Sequence, residues 1–121
     1  MPAMREVVPT RQVPGEPRRR WFASRELDLI VWYDDAGALR GFQLCYDKGR
    51  AEHALTWEPA AGLVHRAVDD GEASAGVRHK ATPVLALDAP LDVDSLRERF
   101  TAGSAGLPRE IVELVVGRLR A

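Results

Sequence analysis

The feature that most constrains this chain is a regular alternation of strand-like segments and short turns between residues 27 and 69. The segments are rich in β-branched and aromatic residues, which suit a pleated and half-buried surface. Asp, Gly and Pro fill the turns between them. Four strands are predicted, at 27–34, 38–47, 51–58 and 63–69, with turns at 34–37, 47–50 and 59–62. Strands joined by such short turns form an antiparallel meander.

Helical patterns follow the strands, at 91–100 and 107–121. The first has apolar residues on one helical face, and Asp92 is in the N-cap position. The second carries a wide apolar stripe and begins near Pro108, which suits the first turn of a helix. A fifth strand, at an edge, is predicted at 77–87. The fold class is therefore α+β: an antiparallel β-meander of four to five strands with two C-terminal helices packed on one face.

The N-terminal segment differs in composition from the rest of the chain. Residues 1–17 contain four of the eight prolines and show no hydrophobic periodicity. They are predicted to be a flexible N-terminal arm. The remaining residues, 18–121, are long enough for one hydrophobic core and too short for two, so they are predicted to form a single α+β domain.

Strand register decides which reactive residue types can meet, because side chains alternate between the two faces of a sheet. A tight turn at 47–50 pairs Leu44 with His53 and places Cys45 on the opposite face. A Cys–His nucleophilic pair, which requires hydrogen-bond contact, is therefore not expected. Cys45 is interpreted as a small, half-buried apolar residue. The other predicted pairs are Leu29 with Phe42 and Leu55 with His65.

Two histidines fall on the predicted core face of adjacent strands. His53 and His65 could line a pocket between sheet and helices with Arg40 and Tyr46, which would suit a small-molecule-binding domain or an enzyme. A metal ion shared by both histidines is the less favoured interpretation. Spacings of 12 and 14 residues, the second reaching His79, match no common zinc pattern. No metal, cofactor or catalytic residue is therefore expected.

The other face of the predicted sheet is unusually apolar for a surface in contact with water. It carries Ile30, Trp32, Val64 and Val68, away from the helices. Exposed apolar patches of this kind usually mark contacts with other molecules. These four residues are the candidate interface, and the expected partner is a second copy of the chain or another protein.

Charge and composition limit the remaining classes. The run "RRRWF" places Arg18–Arg20 beside Trp21, a combination found in single-strand nucleic-acid binders. The net charge of −1 at pH 7 makes nucleic acid an unfavoured partner. No apolar run is long enough to span a membrane, so no membrane contact is expected. One cysteine in 121 residues favours a reducing, cytoplasmic location.

Several short motifs also occur in a distinctive order: W-F, D-L-I-V-W, G-F-Q-L-C-Y-D-K and A-L-T-W. Over residues 18–72 this order resembles a small family of bacterial proteins of unknown function. The resemblance implies a compact bacterial domain and transfers no activity and no site residue. The function expected from the sequence is that of a small cytoplasmic bacterial binding or interaction domain without catalysis.

Overall fold

The computed structural model describes residues 3–47, 52–67 and 92–119. In this part of the chain, a six-stranded antiparallel sheet has its strands in sequence order, and two helices follow it. The strands are β1 (Arg5–Glu6), β2 (Arg18–Ala23), β3 (Leu27–Tyr33), β4 (Leu39–Tyr46), β5 (His53–Glu58) and β6 (Gly62–Ala67). The helices are α1 (Val93–Ala102) and α2 (Arg109–Arg118). The predicted α+β class and meander are confirmed, and the strand predicted at 77–87 lies outside the described residues.

The hairpin registers differ from the prediction in two of three cases. Leu44 pairs with Leu55 instead of His53, and Leu29 pairs with Leu44 instead of Phe42. Both predicted pairs are wrong by two residues, because the connections are longer than the assumed tight turns and a bulge follows Trp32. The pair of Leu55 with His65 is confirmed. Since a two-residue shift keeps every side chain on its face, the predicted core face survives.

The first turn is built by an aspartate. The Asp34 carboxylate accepts hydrogen bonds from the backbone N–H groups of Ala36 and Ala38, both at 2.9 Å. Gly37 has a φ of 89°, a conformation that costs glycine little. Together these contacts fix the point at which the chain reverses between β3 and β4.

The core lies between one face of the sheet and the two helices. Asp92 caps α1 by accepting a hydrogen bond from the Ser95 N–H at 3.0 Å, as its position in the sequence predicts. The core-facing residues of the strands and helices are almost completely shielded from solvent. They include Phe22, Leu29, Val31, Phe42, Leu44, Leu55, Leu96, Phe100, Ile111, Val115 and Leu119. Neither helix in the described part of the chain is long and apolar enough to cross a membrane.

The N-terminal segment is attached to this core at several points, which differs from the flexible arm expected there. Met4 is buried, and its N–H donates to the Gly103 carbonyl oxygen at 2.9 Å. Strand β1 pairs with β2, and Glu6 forms a two-pronged ion pair with Arg20 at 2.8 and 2.9 Å. Strand β1 has only two residues, which is too short for an alternation of polar and apolar residues to predict it from the sequence.

Candidate functional site

Three of the four predicted pocket residues meet at one end of the core. Tyr46 on β4, His53 on β5 and His65 on β6 share the core face of the sheet. Their rings are nearly parallel, with centroids 5.1 Å apart for the two histidines and 5.6 and 5.9 Å from Tyr46 to His53 and His65. The Tyr46 hydroxyl and the His65 Nε2 form a hydrogen bond of 2.5 Å. We call these three residues the ring cluster.

Helix α1 places a cation beside the ring cluster. The Arg99 guanidinium lies 5.5 Å from the centroid of the Tyr46 ring and donates to the Asp47 carboxylate at 2.9 Å. Burial raises the pKa of the Tyr46 hydroxyl above its ordinary value of 10, and the charge of Asp47 raises it further, while Arg99 opposes both. Tyr46 is therefore a neutral hydroxyl at ordinary pH.

The ring cluster is largely shielded from solvent, because Tyr46 and His65 are buried and His53 is half-buried. His65 is 1% exposed and Tyr46 is 9% exposed. One ring nitrogen of His65 already takes part in the hydrogen bond with the Tyr46 hydroxyl, so a metal ion on this nitrogen would have to replace that bond. Among residues 3–47, 52–67 and 92–119, no three His, Cys, Asp or Glu side chains are grouped for metal binding. Cys45 pairs with Ala54 on the other face and is half-buried.

The fourth predicted pocket residue, Arg40, lies at the far end of β4 from Tyr46. There it borders an open cleft of about 1020 Å3. The cleft is lined by residues preceding β2, by the ends of β2, β3 and β5, by the turn after β3 and by the start of α2. These are Gly15, Glu16, Pro17, Arg18, Arg20, Trp32, Tyr33, Asp34, Asp35, Gly37, Arg40, Glu58 and Glu110. We call it the Trp32 cleft.

The Trp32 cleft contains charged groups of both signs, and two of them are already held by other residues. Arg20 is engaged by Glu6 and also donates to the Tyr33 hydroxyl, and Asp34 is used in the turn. Arg18 and Arg40 remain as exposed donors, whereas Glu16, Asp35, Glu58 and Glu110 remain as exposed acceptors. The cleft therefore offers both donors and acceptors to a ligand.

The indole of Trp32 owes its position to Gly41, its partner on the neighbouring strand. A Cβ atom at position 41 would lie 2.7 Å from the Trp32 Nε1, 2.8 Å from its Cε2 and 2.7 Å from the Trp57 carbonyl oxygen. The indole therefore lies across the backbone of β4, in the space that a side chain would fill. The sequence contains this signal, but it requires the correct register to be recognised.

The candidate interface lies on the same face of the sheet, away from the helices. Ile30 and Trp32 are half-buried there, whereas Val64 is 8% exposed and Val68 lies outside the described residues. Sequence reasoning did not include Trp21 in this set. Trp21 pairs with Ile30 and is 37% exposed, which makes it the accessible tryptophan of this face.

The arginines of β2 are divided between the two faces of the sheet. Arg18 and Arg20 lie on the helix side, while Arg19 shares the other face with Trp21. The Trp21 indole N–H donates to the Asp28 carboxylate at 3.4 Å, so an acidic group lies beside the aromatic ring. The described residues thus do not combine "RRRWF" into one continuous basic surface.

Comparison with known proteins gives no relative from which a site could be transferred. The chain matches no protein-family model, no curated protein and no solved structure.

Proposed function

We propose that this chain is a small binding domain without catalysis that holds its ligand in the Trp32 cleft. The observation that carries the proposal is the half-buried Trp32 indole, which lines an open cavity of about 1020 Å3. Arg18 and Arg40 add exposed hydrogen-bond donors to the lining of the same cleft. Small-molecule sites are concave and combine an apolar surface with a few polar groups.

The ring cluster is the weaker site for a ligand. Its hydroxyl and one imidazole nitrogen are already joined by a hydrogen bond, and His65 is almost completely buried. A ligand would have to displace core side chains to reach it. We therefore interpret the ring cluster as part of the core and assign it no catalytic step. The single cysteine and the resemblance to bacterial proteins support a cytoplasmic bacterial setting for the domain.

Ligand screening by nuclear magnetic resonance tests the proposal. Each tryptophan contributes one indole N–H resonance, so Trp32, Trp21 and Trp57 can be followed separately after assignment by substitution. A mixed set of neutral, anionic and cationic small molecules should include compounds that shift the Trp32 resonance and leave that of Trp21 in place. A set that shifts only the other two indoles, or none of the three, would reject the cleft as the site.

A second candidate function is self-association, because Trp21 remains 37% exposed next to Ile30. Arg19 lies on one side of this pair along the strands, and Asp28 lies on the other. A twofold axis through the Trp21–Ile30 row and perpendicular to the strands would bring Arg19 of each copy close to Asp28 of the other copy. A second copy is therefore the partner that the charges of this face favour. The arrangement would cover Trp32, so dimer and cleft ligand would exclude one another.

A further inference from the structure

We propose that the outer edge of strand β2 binds an extended acidic peptide, which pairs with the backbone of Arg19 and adds a strand to the sheet. In the part of the chain that the structure describes, β1 pairs with Phe22 and Ala23, at the far end of this edge. A further backbone bond joins the Val7 N–H to the Trp21 carbonyl oxygen at 2.8 Å. The proposal concerns the backbone edge of β2 and needs no ligand in the Trp32 cleft.

A proline explains why this pairing ends before Arg19. The register of β1 pairs Glu6 with Phe22, so its continuation would place Pro9 opposite Arg19. Proline has no backbone N–H and cannot donate to the Arg19 carbonyl oxygen. The Gln12 carboxamide does so instead: its N–H donates to this oxygen at 2.9 Å, and its oxygen accepts a hydrogen bond from the Arg19 N–H at 3.0 Å. We call this contact the Gln12 cap.

The Gln12 cap occupies the place of a neighbouring strand and can be exchanged for one. A carboxamide carries the same donor and acceptor as a backbone peptide group, so an added strand can make the same two bonds with Arg19. Gln12 is exposed, so its displacement leaves the hydrophobic core intact. Because two bonds at one residue contribute only part of the affinity, the side chains of the added strand must supply the rest.

Two arginines beside the Gln12 cap indicate an acidic partner. The Arg19 Nε–H donates to the Arg11 carbonyl oxygen at 3.0 Å, which holds the Arg19 side chain next to the segment that carries the cap. Among the described residues, neither arginine takes part in an ion pair. Residues 5–25 carry six arginines against two glutamates, and one of these, Glu6, is bound to Arg20. A carboxylate on an added strand can therefore pair with Arg11 or Arg19.

Charge also argues against a second copy of the chain as the partner at this edge. Antiparallel pairing of two β2 strands about Arg19 would place this residue opposite Arg19 of the other copy and Arg18 opposite Arg20. Like charges directly opposite one another destabilise a strand pair. An acidic strand replaces this repulsion by attraction, so the edge favours a strand from a different molecule.

Amide resonances test the proposal, since the chain contains two glutamines and no asparagine. The probe is a seven-residue peptide of alternating glutamate and valine with blocked termini. It should shift the Gln12 side-chain NH2 and the Arg19 amide resonances at millimolar concentration and leave the Gln43 side chain in place. Two control peptides should not: the lysine–valine counterpart has the wrong charge, and a fully N-methylated acidic peptide has no backbone donor.

Three results would overturn the proposal. Equal shifts with the N-methylated peptide would show attraction between charges without strand pairing. Equal shifts with the lysine–valine peptide, or no shift of the Gln12 resonance with any peptide, would exclude an acidic strand at this edge. Tighter binding of a thymidine oligonucleotide at the same resonances would identify a nucleic-acid surface instead.

Substitutions separate the Gln12 cap from the charge. Gln12→Ala should tighten binding of the acidic peptide about two- to tenfold, because the peptide no longer displaces a hydrogen-bonded side chain. Arg19→Glu should weaken it and favour the lysine–valine peptide. Arg118→Glu is the matched control, because it makes the same change in net charge beside Trp57 on β5, and it should bind as the wild type does. Unchanged affinity in both Gln12→Ala and Arg19→Glu, each shown to be folded by circular dichroism, would reject the edge of β2 as the site.

Discussion

Tyr46 and His65 show how a polar pair is tolerated inside this core. A buried hydroxyl without a partner costs about 1–3 kcal/mol, and the His65 imidazole supplies that partner to Tyr46. The bond between the Tyr46 hydroxyl and the His65 Nε2 spans two strands, with His53 stacked against both rings. The cluster therefore adds a specific cross-strand contact to the otherwise apolar interior.

The raised pKa of Tyr46 predicts a dependence of stability on alkaline pH. In the unfolded chain a tyrosine loses its proton near pH 10, whereas burial in the folded protein keeps Tyr46 protonated to higher pH. The stabilisation is thus complete below pH 10 and is lost as the pH rises through the folded-state pKa. Tyr46→Phe should lower the free energy of unfolding at pH 7 by about 1–3 kcal/mol, and the difference from wild type should narrow above pH 10.

Urea unfolding of both proteins at a series of pH values measures this difference. Tyr33 and the lysines are common to the two proteins, so their titration cancels in the comparison. A constant difference between wild type and Tyr46→Phe from pH 7 to pH 11 would show that the pKa of this hydroxyl is not raised by folding.

Individual residues were predictable from the sequence where strand alternation alone decides their position. The alternation places Tyr46, His53 and His65 on one face, and the structure brings them together. Arg40 was grouped with them, but its distance along β4 takes it to the Trp32 cleft. The contact between Trp32 and Gly41 depends on the exact pairing of two strands, which turn sequences do not determine.

At the scale of elements, long periodic segments were predictable and short contacts were not. Strands β3 to β6 and both helices follow from patterns of six residues or more, and Asp92 marks the start of α1, whereas β2 was not predicted as a separate strand. Strand β1 has two residues, so its position is set by its pairing with β2 and by the burial of the Met4 side chain in the core. Two of the three hairpin registers were wrong, each by two residues, and a shift by an even number of residues preserves the burial pattern.

The attachment of β1 predicts that Met4 contributes to stability as a core residue does. Met4 is 1% exposed, and its backbone N–H is bonded to the carbonyl oxygen of Gly103 after α1. Met4→Ala should lower the free energy of unfolding by about 2–5 kcal/mol, because the truncated side chain leaves a cavity. Val8→Ala is the matched control in the same segment. Val8 is 76% exposed, and its truncation should change stability by no more than about 0.5 kcal/mol.

Chemical denaturation of both variants, with the wild type alongside, provides the measurement. Equal stability of Met4→Ala and Val8→Ala would mean that the N-terminal segment does not contribute to the core in solution. That result would restore the flexible arm expected from the proline content of residues 1–17.

At the scale of the whole molecule, the sheet has one face buried against helices and one face with accessible tryptophan. The sequence predicts both faces, because apolar residues occupy both sides of the central strands. It does not predict how much of the second face is accessible. Val64 on β6 is buried, whereas Trp21 on β2 is exposed and pairs with Ile30 on β3. The accessible part of this face is therefore formed by β2 and β3.

This asymmetry leads to a prediction about oligomeric state. A twofold contact centred on Trp21 and Ile30 would bury the 37% of Trp21 that is accessible in each copy, which is well under the range of about 150–250 Å2 that a whole aromatic side chain buries. At about 25 cal/mol per Å2, the gross gain must still exceed the entropy cost of association. A weak dimer is therefore expected, visible by sedimentation velocity at hundreds of micromolar. Trp21→Glu should shift it to the monomer.

Reversing the charges at Arg19 and Asp28 distinguishes a specific dimer from non-specific hydrophobic association. Arg19→Asp and Asp28→Arg should each weaken the dimer, because each places like charges opposite one another across the twofold axis. The double variant restores opposite charges and should recover part of the lost affinity, since the two sites are coupled. The Asp28 variants also lose the hydrogen bond from the Trp21 indole, so recovery will be incomplete. A wild-type protein that is monomeric at hundreds of micromolar would reject this dimer. So would a double variant whose loss of dimer affinity equals the sum of the losses in the two single variants. Either result would leave this face of the sheet open for the ligand of the Trp32 cleft.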